Sequence, residues 1–180
     1  MKKSAVWFLC ASVTLLPATG MAAPAPEPAA TPEPLTESDT TFSENVSALN
    51  GFEITISKLG AKQAKRRKIQ EMAEDALKMH TANQKALLAL TRKHGLTLHE
   101  EMSPDEQQIA DTLKTESGAK FERDFLDIEA QATSDALAMF QNEAESASDP
   151  ELKAYASSTA DTLQAHLKEA MKLGANKPSR

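Results

Sequence analysis

The chain has a single cysteine, Cys10, and it lies close to the N-terminus. One thiol closes no intrachain disulfide, and once a leader containing Cys10 is removed the remainder offers no thiolate to a nucleophilic mechanism or a metal. Aromatic residues make up 4% of the sequence and glycine only six of 180 positions. Ala, Leu, Glu, Lys, Gln and Met recur instead, a palette of helix formers that argues against an all-β fold. A basic excess is also missing: 20 Lys and Arg face 26 Asp and Glu, for a net charge of -6. Such a surface repels polyanions, so no nucleic-acid role is expected. Nor does the sequence contain a phosphate loop or a nucleophile, base and acid set.

The one long apolar run, Ser4 to Leu16, follows Met1-Lys2-Lys3 and stops at Pro17. Charged start, apolar middle and small residues at Gly20 and Ala22 read as a secretory signal peptide over 1–22, cut before Ala23, and place the mature protein in the periplasm. An uncleaved anchor is the alternative, but the run is shorter than the roughly 18 residues a bilayer span needs. Lipidation at Cys10 is another, and Trp7-Phe8-Leu9 lacks the small residues such processing wants. Residues 23–38, beginning APAPEPAATPEP, carry five of the nine prolines. No packed element tolerates that density, which leaves two readings: a semi-rigid polyproline spacer or an inert disordered tail.

From there to about residue 174 the spacing is helical. Phe42, Val46, Leu49, Glu53, Ile56 and Gly60 recur at three and four, predicting a helix from about Thr40 to Gln63. The basic run Lys62, Lys65, Arg66, Arg67 and Lys68 follows as a turn favoured by the helix dipole, with anionic lipid headgroups as a second reading and peripheral membrane contact as its consequence. A second helix is expected from about Arg67 to His94, with Ile69, Met72, Ala76, His80, Gln84 and Leu87 on one face and Gly95 as its stop. Ser103-Pro104-Asp105-Glu106 spells a capping box for a short helix to about Thr115, which Gly118 ends or bends. Phe121, Phe125, Ile128, Ala132, Ala136 and Phe140 mark a long helix from about Ala119 to Ala147. Asp149-Pro150-Glu151 opens the last, where Leu152, Ala156, Thr159, Leu163, His166, Ala170 and Leu173 form one row.

Four long helices, with short turns except between the second and the last two, make an all-α four-helix bundle over 39–174, followed by a disordered tail at 175–180. The stretch from Gly95 to Gly118, with its own short helix, is long enough to travel back along the bundle, the crossover of ferritin-like folds. An up-down-up-down bundle is the alternative.

Phe42 and Glu53, Met79-His80 with Asn83 and Leu87, Phe121 with Phe125, and Asp149-Pro150-Glu151-Leu152-Lys153 leading to Leu163 and His166-Leu167 together resemble the domain of unknown function 4142. The likeness runs from about Phe42 to Leu173. It implies an exported bacterial ferritin-like bundle, often labelled an outer-membrane protein, with no established activity. Three positions depart from that family's usual pattern: Thr133 where a histidine is common, Glu122 where an Asp follows the Phe, and Asp161 in place of a proline. A site built from three inward histidines is therefore incomplete.

A di-iron carboxylate site in such a bundle needs Glu-x-x-His on two helices, and Leu77 and Leu163 stand three residues before His80 and His166. What the rows turn inward is Glu53, His80 and His166, with Glu129 and Thr133 as neighbours. Two readings stand: a mutually satisfied polar layer that fixes helix register, and a mononuclear transition-metal site using Glu53, His80 and His166. His94, His99, Glu100, Glu101 and Met102 form a looser surface cluster, and Met72, Met79, Met139 and Met171 read as core fillers. The expected role is non-enzymatic binding or packing in the cell envelope, with an envelope partner or a second copy against leftover apolar faces. Metal handling or oxidative defence is the alternative.

Overall fold

The computed structural model describes residues 33–179; the expected leader and most of the proline-rich segment, 1–32, lie outside the described residues. Five helices and no strand occur among those described: α1 Glu37–Gln63, α2 Arg67–Lys93, α3 Pro104–Thr115, α4 Gly118–Ser146 and α5 Pro150–Leu173.

Helix α1 begins three residues before the expected Thr40, because Thr36 rather than a later residue caps it, its hydroxyl accepting from the Asp39 N–H at 3.1 Å. The proline-rich segment therefore gives way to helix at Glu37, not after Ser38. Ser103 and Glu106 close the capping box reciprocally, at 3.2 Å and 2.7 Å, with Pro104 in the first turn. Gly118 neither ends nor bends α3; with φ +63° it is the first residue of α4, a left-handed step that lets the chain turn within three residues of Thr115. Asp149 caps α5 by accepting from Leu152 N–H at 2.8 Å, as the Asp-Pro-Glu sequence leads one to expect.

Each long helix packs on two others: α1 on α2 and α4, and α5 on α4 and α2, while α3 lies against α1 and α4. Directions follow from side chains. Phe42, early in α1, meets Phe140, late in α4, edge to face at 5.2 Å, and Gly60, late in α1, abuts Phe125, early in α4. Helices α1 and α4 are thus antiparallel. Lys93 at the end of α2 pairs with Glu151 at the start of α5 at 2.5 Å, so those two are antiparallel as well. Because α1 and α2 are also joined by a short turn, α2 and α4 run parallel, and residues 94–117 must return along the length of the molecule, carrying α3.

At Gly60, α1, α2 and α4 approach one another closely. A Cβ there would sit 2.5 Å from the Phe125 ring and 2.8 Å from Ala73, so only a residue without a side chain permits the approach. At the neighbouring turn Glu122 of α4 accepts from the backbone N–H groups of Lys65 and Arg66 at 2.6 and 2.7 Å and pairs with the Arg66 guanidinium at 2.9 Å. Burial opposes its ionisation, but the Arg66 and Lys65 N–H groups and the Arg66 cation outweigh that and hold the carboxyl below its ordinary value. Glu122 thus ties the α1–α2 turn to α4.

Apolar burial falls into two clusters. Phe52, Ile56, Ile69, Met72, Phe121, Phe125 and Leu126 form one, and Phe42, Val46, Leu87, Leu90, Phe140, Leu152 and Leu163 the other. Each fully buried large side chain contributes about 1.5–3 kcal/mol of transfer free energy. Between the clusters, at mid-length, the inward positions turn polar. Past Leu173 the chain leaves the helix at Gly174, and Asn176 and Ser179 hydrogen bond Asp127 and Gln131 on α4 at 2.7 and 2.9 Å.

Candidate functional site

Four helices each contribute one ionisable side chain to the polar mid-section: Glu53 from α1, His80 from α2, Glu129 from α4 and His166 from α5. Glu53 and His80 are 1% exposed and Glu129 is 0%. Their order of pairing runs across the interior. His80 Nε2 lies 3.9 Å from Glu53 Oε2, within reach of Coulomb attraction but too far for a hydrogen bond. His166 Nε2 meets Glu129 Oε2 at 3.0 Å, and Ser57 donates to the other Glu129 oxygen at 3.4 Å. Burial first, and then the charge of Glu129, push the Glu53 carboxyl well above its ordinary value. A neutral Glu53 can donate its proton, which an interior holding two carboxyls requires.

A row of neutral polar side chains fixes His80 from behind. Its Nδ1 meets Asn50 Oδ1 at 3.0 Å, Asn50 Nδ2 donates to Gln84 Oε1 at 3.0 Å, Gln84 Nε2 donates to Ser47 Oγ at 2.8 Å, and Ser47 donates to the carbonyl of His99 at 3.1 Å. The carbonyl can only accept, so the polarity of the chain is set from that end. Asn50 then presents its oxygen to His80, and the imidazole proton sits on Nδ1. Nε2 is left as a bare acceptor facing Glu53. Burial lowers the His80 pKa from 6.5 to about 4, opposed by Glu129 and reinforced by His166, so His80 is neutral at physiological pH.

The layer is not fully satisfied. Both Glu53 oxygens, His80 Nε2 and Thr133 Oγ1 are buried without a hydrogen-bond partner. All four of the inward residues expected from the sequence beside His166, namely Glu53, His80, Glu129 and Thr133, are buried at mid-length, while His166 itself is half-buried beside Glu129. Yet no three His, Cys, Asp or Glu side chains among the described residues stand close enough together to hold a metal ion. The surface cluster expected around the α2 loop disperses. His94 turns to the Glu33 carbonyl at 2.6 Å and to Asp149 at 3.4 Å, and His99 enters the network through its backbone only.

Asn50, Gln84, Ser47 and Ser57 were not marked by the sequence as partners of the core acids and imidazoles. Their signal was position: each lies on the same helical row as Phe42, Val46 or His80, but amides and hydroxyls at such positions are common on solvated faces. Asp39 and Glu143 form a second buried carboxyl pair near the α4–α5 turn that the sequence did not disclose, because 104 positions separate them in the chain.

A family model for the domain of unknown function DUF4142 matches residues 24–173. The chain belongs to the DUF4142 family. Two solved structures share the fold: a DUF305 fragment from Deinococcus radiodurans, 17% identical with TM-score 0.70, and a DUF305 protein from Streptomyces coelicolor described as secreted, 12% identical with TM-score 0.66. They cover 78% and 79% of this DUF4142 chain, which in turn covers 98% of each. At such identities the likeness concerns architecture alone. No curated protein matches the chain.

Proposed function

We propose that this DUF4142 protein is an exported, periplasmic, ferritin-like four-helix bundle that acts by binding or packing in the cell envelope rather than by catalysis. The interior polar layer serves to fix the register of its helices. The reading rests on one observation: every long helix places one ionisable group in the same interior layer, three of them buried and His166 half-buried, and a directional hydrogen-bond chain holds His80 in a single tautomer. A one-turn slip of any helix would leave a buried acid or imidazole facing apolar side chains, at a cost of several kcal/mol. The ring of α1, α2, α5 and α4 with a returning 94–117 segment supports the ferritin-like description, and the absence of a long enough apolar helix among the described residues is compatible with export to the periplasm.

A single transition metal held by Glu53, His80 and His166 is the second reading, favoured by the bare His80 Nε2 and the unpartnered Glu53 carboxyl, and by Asn50 orienting the imidazole as outer partners of metal ligands do. Against it, His166 Nε2 is engaged by Glu129 and three ligands do not converge. Elemental analysis of untagged protein from the periplasmic fraction, repeated for His80→Gln and His166→Gln, separates the two. Metal-free protein whose variants melt lower supports the structural layer. Stoichiometric metal that disappears in the variants replaces it with the metal reading. The mass of the same periplasmic material checks export, with a mature chain starting at Ala23 expected.

A further inference from the structure

Where α3 lies across α1 and α4 it leaves an apolar groove of about 380 Å³, floored by Leu49, Phe52, Ile109, Ile128, Ala132 and Met139. That volume falls within the range of roughly 300–1,000 Å³ found for small-ligand sites. Ile109 is 40% exposed, one of two large hydrophobic side chains so exposed among the described residues. A crossover helix that is capped at Ser103 and stopped at Glu116 has no need to present an isoleucine to water for its own folding.

The rim carries charge of one sign. Glu106 of α3 and Asp135 of α4 line the groove with Gln131, and no Lys or Arg does. A second hollow, sharing Ile109 and Ile128, adds Asp105, Glu116 and Asp124, the last two of which hold Lys120. The groove therefore offers an apolar floor to a hydrocarbon and carboxylates on two sides to whatever head group follows it. An anionic amphiphile is repelled there, a neutral one gains only from the floor, and a cationic one gains from both.

We propose that this groove binds lipophilic cations, molecules with a single hydrocarbon chain and a quaternary or primary ammonium head. The inference gives the binding role above a ligand class and rests on that role; the interior layer is judged separately by metal content and stability, so either can fail alone. The floor takes the chain, and Glu106 and Asp135 take the head group.

The test is isothermal titration of the mature protein at low salt with three probes of equal chain length below their micellar concentrations: dodecyltrimethylammonium, dodecyl maltoside and dodecanoate. One cationic molecule per chain is expected, bound at least about tenfold more tightly than the neutral probe, with no anionic binding. Ala132→Trp fills the floor and abolishes binding. Ile109→Gln, at an exposed position that tolerates polarity, weakens all chain insertion should the tryptophan variant fail to fold. Glu106→Gln with Asp135→Lys removes the preference for the cation. Equal binding of the three probes, or cationic binding that survives both groove variants and so reflects adsorption to an acidic surface, overturns the proposal.

Discussion

Two pairs of acidic side chains are buried between α1 and α4, one at mid-length and one where the α4–α5 turn closes, and their surroundings differ. At mid-length Glu53 and Glu129 are interleaved with two imidazoles. At the end, Asp39 and Glu143 face each other: Asp39 accepts from the backbone N–H groups of Ser148 and Asp149, both at 3.3 Å, while one Glu143 oxygen is buried without a partner. Burial first, and then the charge of Asp39 and a hydrogen bond to it, push the Glu143 carboxyl up to about 7. The contrast shows two ways in which a buried acid is accommodated. Glu122 and Asp39 accept from backbone N–H groups, whereas Glu53 and Glu143 lack such donors and are shifted toward the protonated form.

The largest effect that sharpens this comparison comes from Glu129→Ala, which strips His166 and Ser57 of their shared partner. Removing one member of a buried pair costs about 3–5 kcal/mol, read as a fall in urea midpoint at unchanged slope. Glu143→Ala at the end removes a group that already lacks a full set of partners, and about 1 kcal/mol is expected. Equal losses at the two sites would erase the distinction.

Acid titration gives the next effect. The folded pKa of His80, about 4, lies below the unfolded 6.5, so the unfolded chain binds more protons and stability falls as pH drops from 6.5 toward 4. The shift corresponds to roughly 3 kcal/mol at full extent. His80→Gln should flatten that loss, seen as the difference between wild-type and variant melting curves across the window.

Glu143 has the opposite sign and a smaller amplitude, since its side chain also lines an open polar hollow with Asn45 and Asn142. With a folded value of about 7 against an ordinary 4.5, the folded chain binds more protons, and stability declines as pH rises between 4.5 and 7 before levelling off. Glu143→Gln removes that decline. Glu53 acts in the same direction. Smallest, and outside both regions, Ser103→Ala breaks the α3 capping box and costs about 1 kcal/mol, which circular dichroism during urea unfolding would register.

Helices were legible because their apolar rows and caps are local. The Ser103-Pro104-Asp105-Glu106 box and the Asp149-Pro150 start are complete within four residues, and Leu152 to Leu173 keeps one face without interruption. Glu53, His80 and His166 were legible as interior residues for the same reason, each sitting on a row of buried neighbours. What they touch was not. The choice between Glu129 and a metal for His166, and the donor chain from His80 to the His99 carbonyl, depend on which helices are neighbours and at what height. Only the packing of α1 on α2, and the return of residues 94–117 that brings the His99 carbonyl to Ser47, fixes those. Thr36 as the true start of α1 was masked by the prolines before it, which read as continuing disorder.

The central claim is that acids and imidazoles from four helices meet in one interior layer that holds His80 neutral, and the His80 ring reports on it most directly. Nitrogen-15 NMR of the imidazoles from pH 8 to pH 4 should show His80 as the Nδ1-protonated neutral tautomer throughout neutral pH, with a midpoint near 4. An ordinary midpoint near 6.5, or rapid exchange between tautomers, would contradict it.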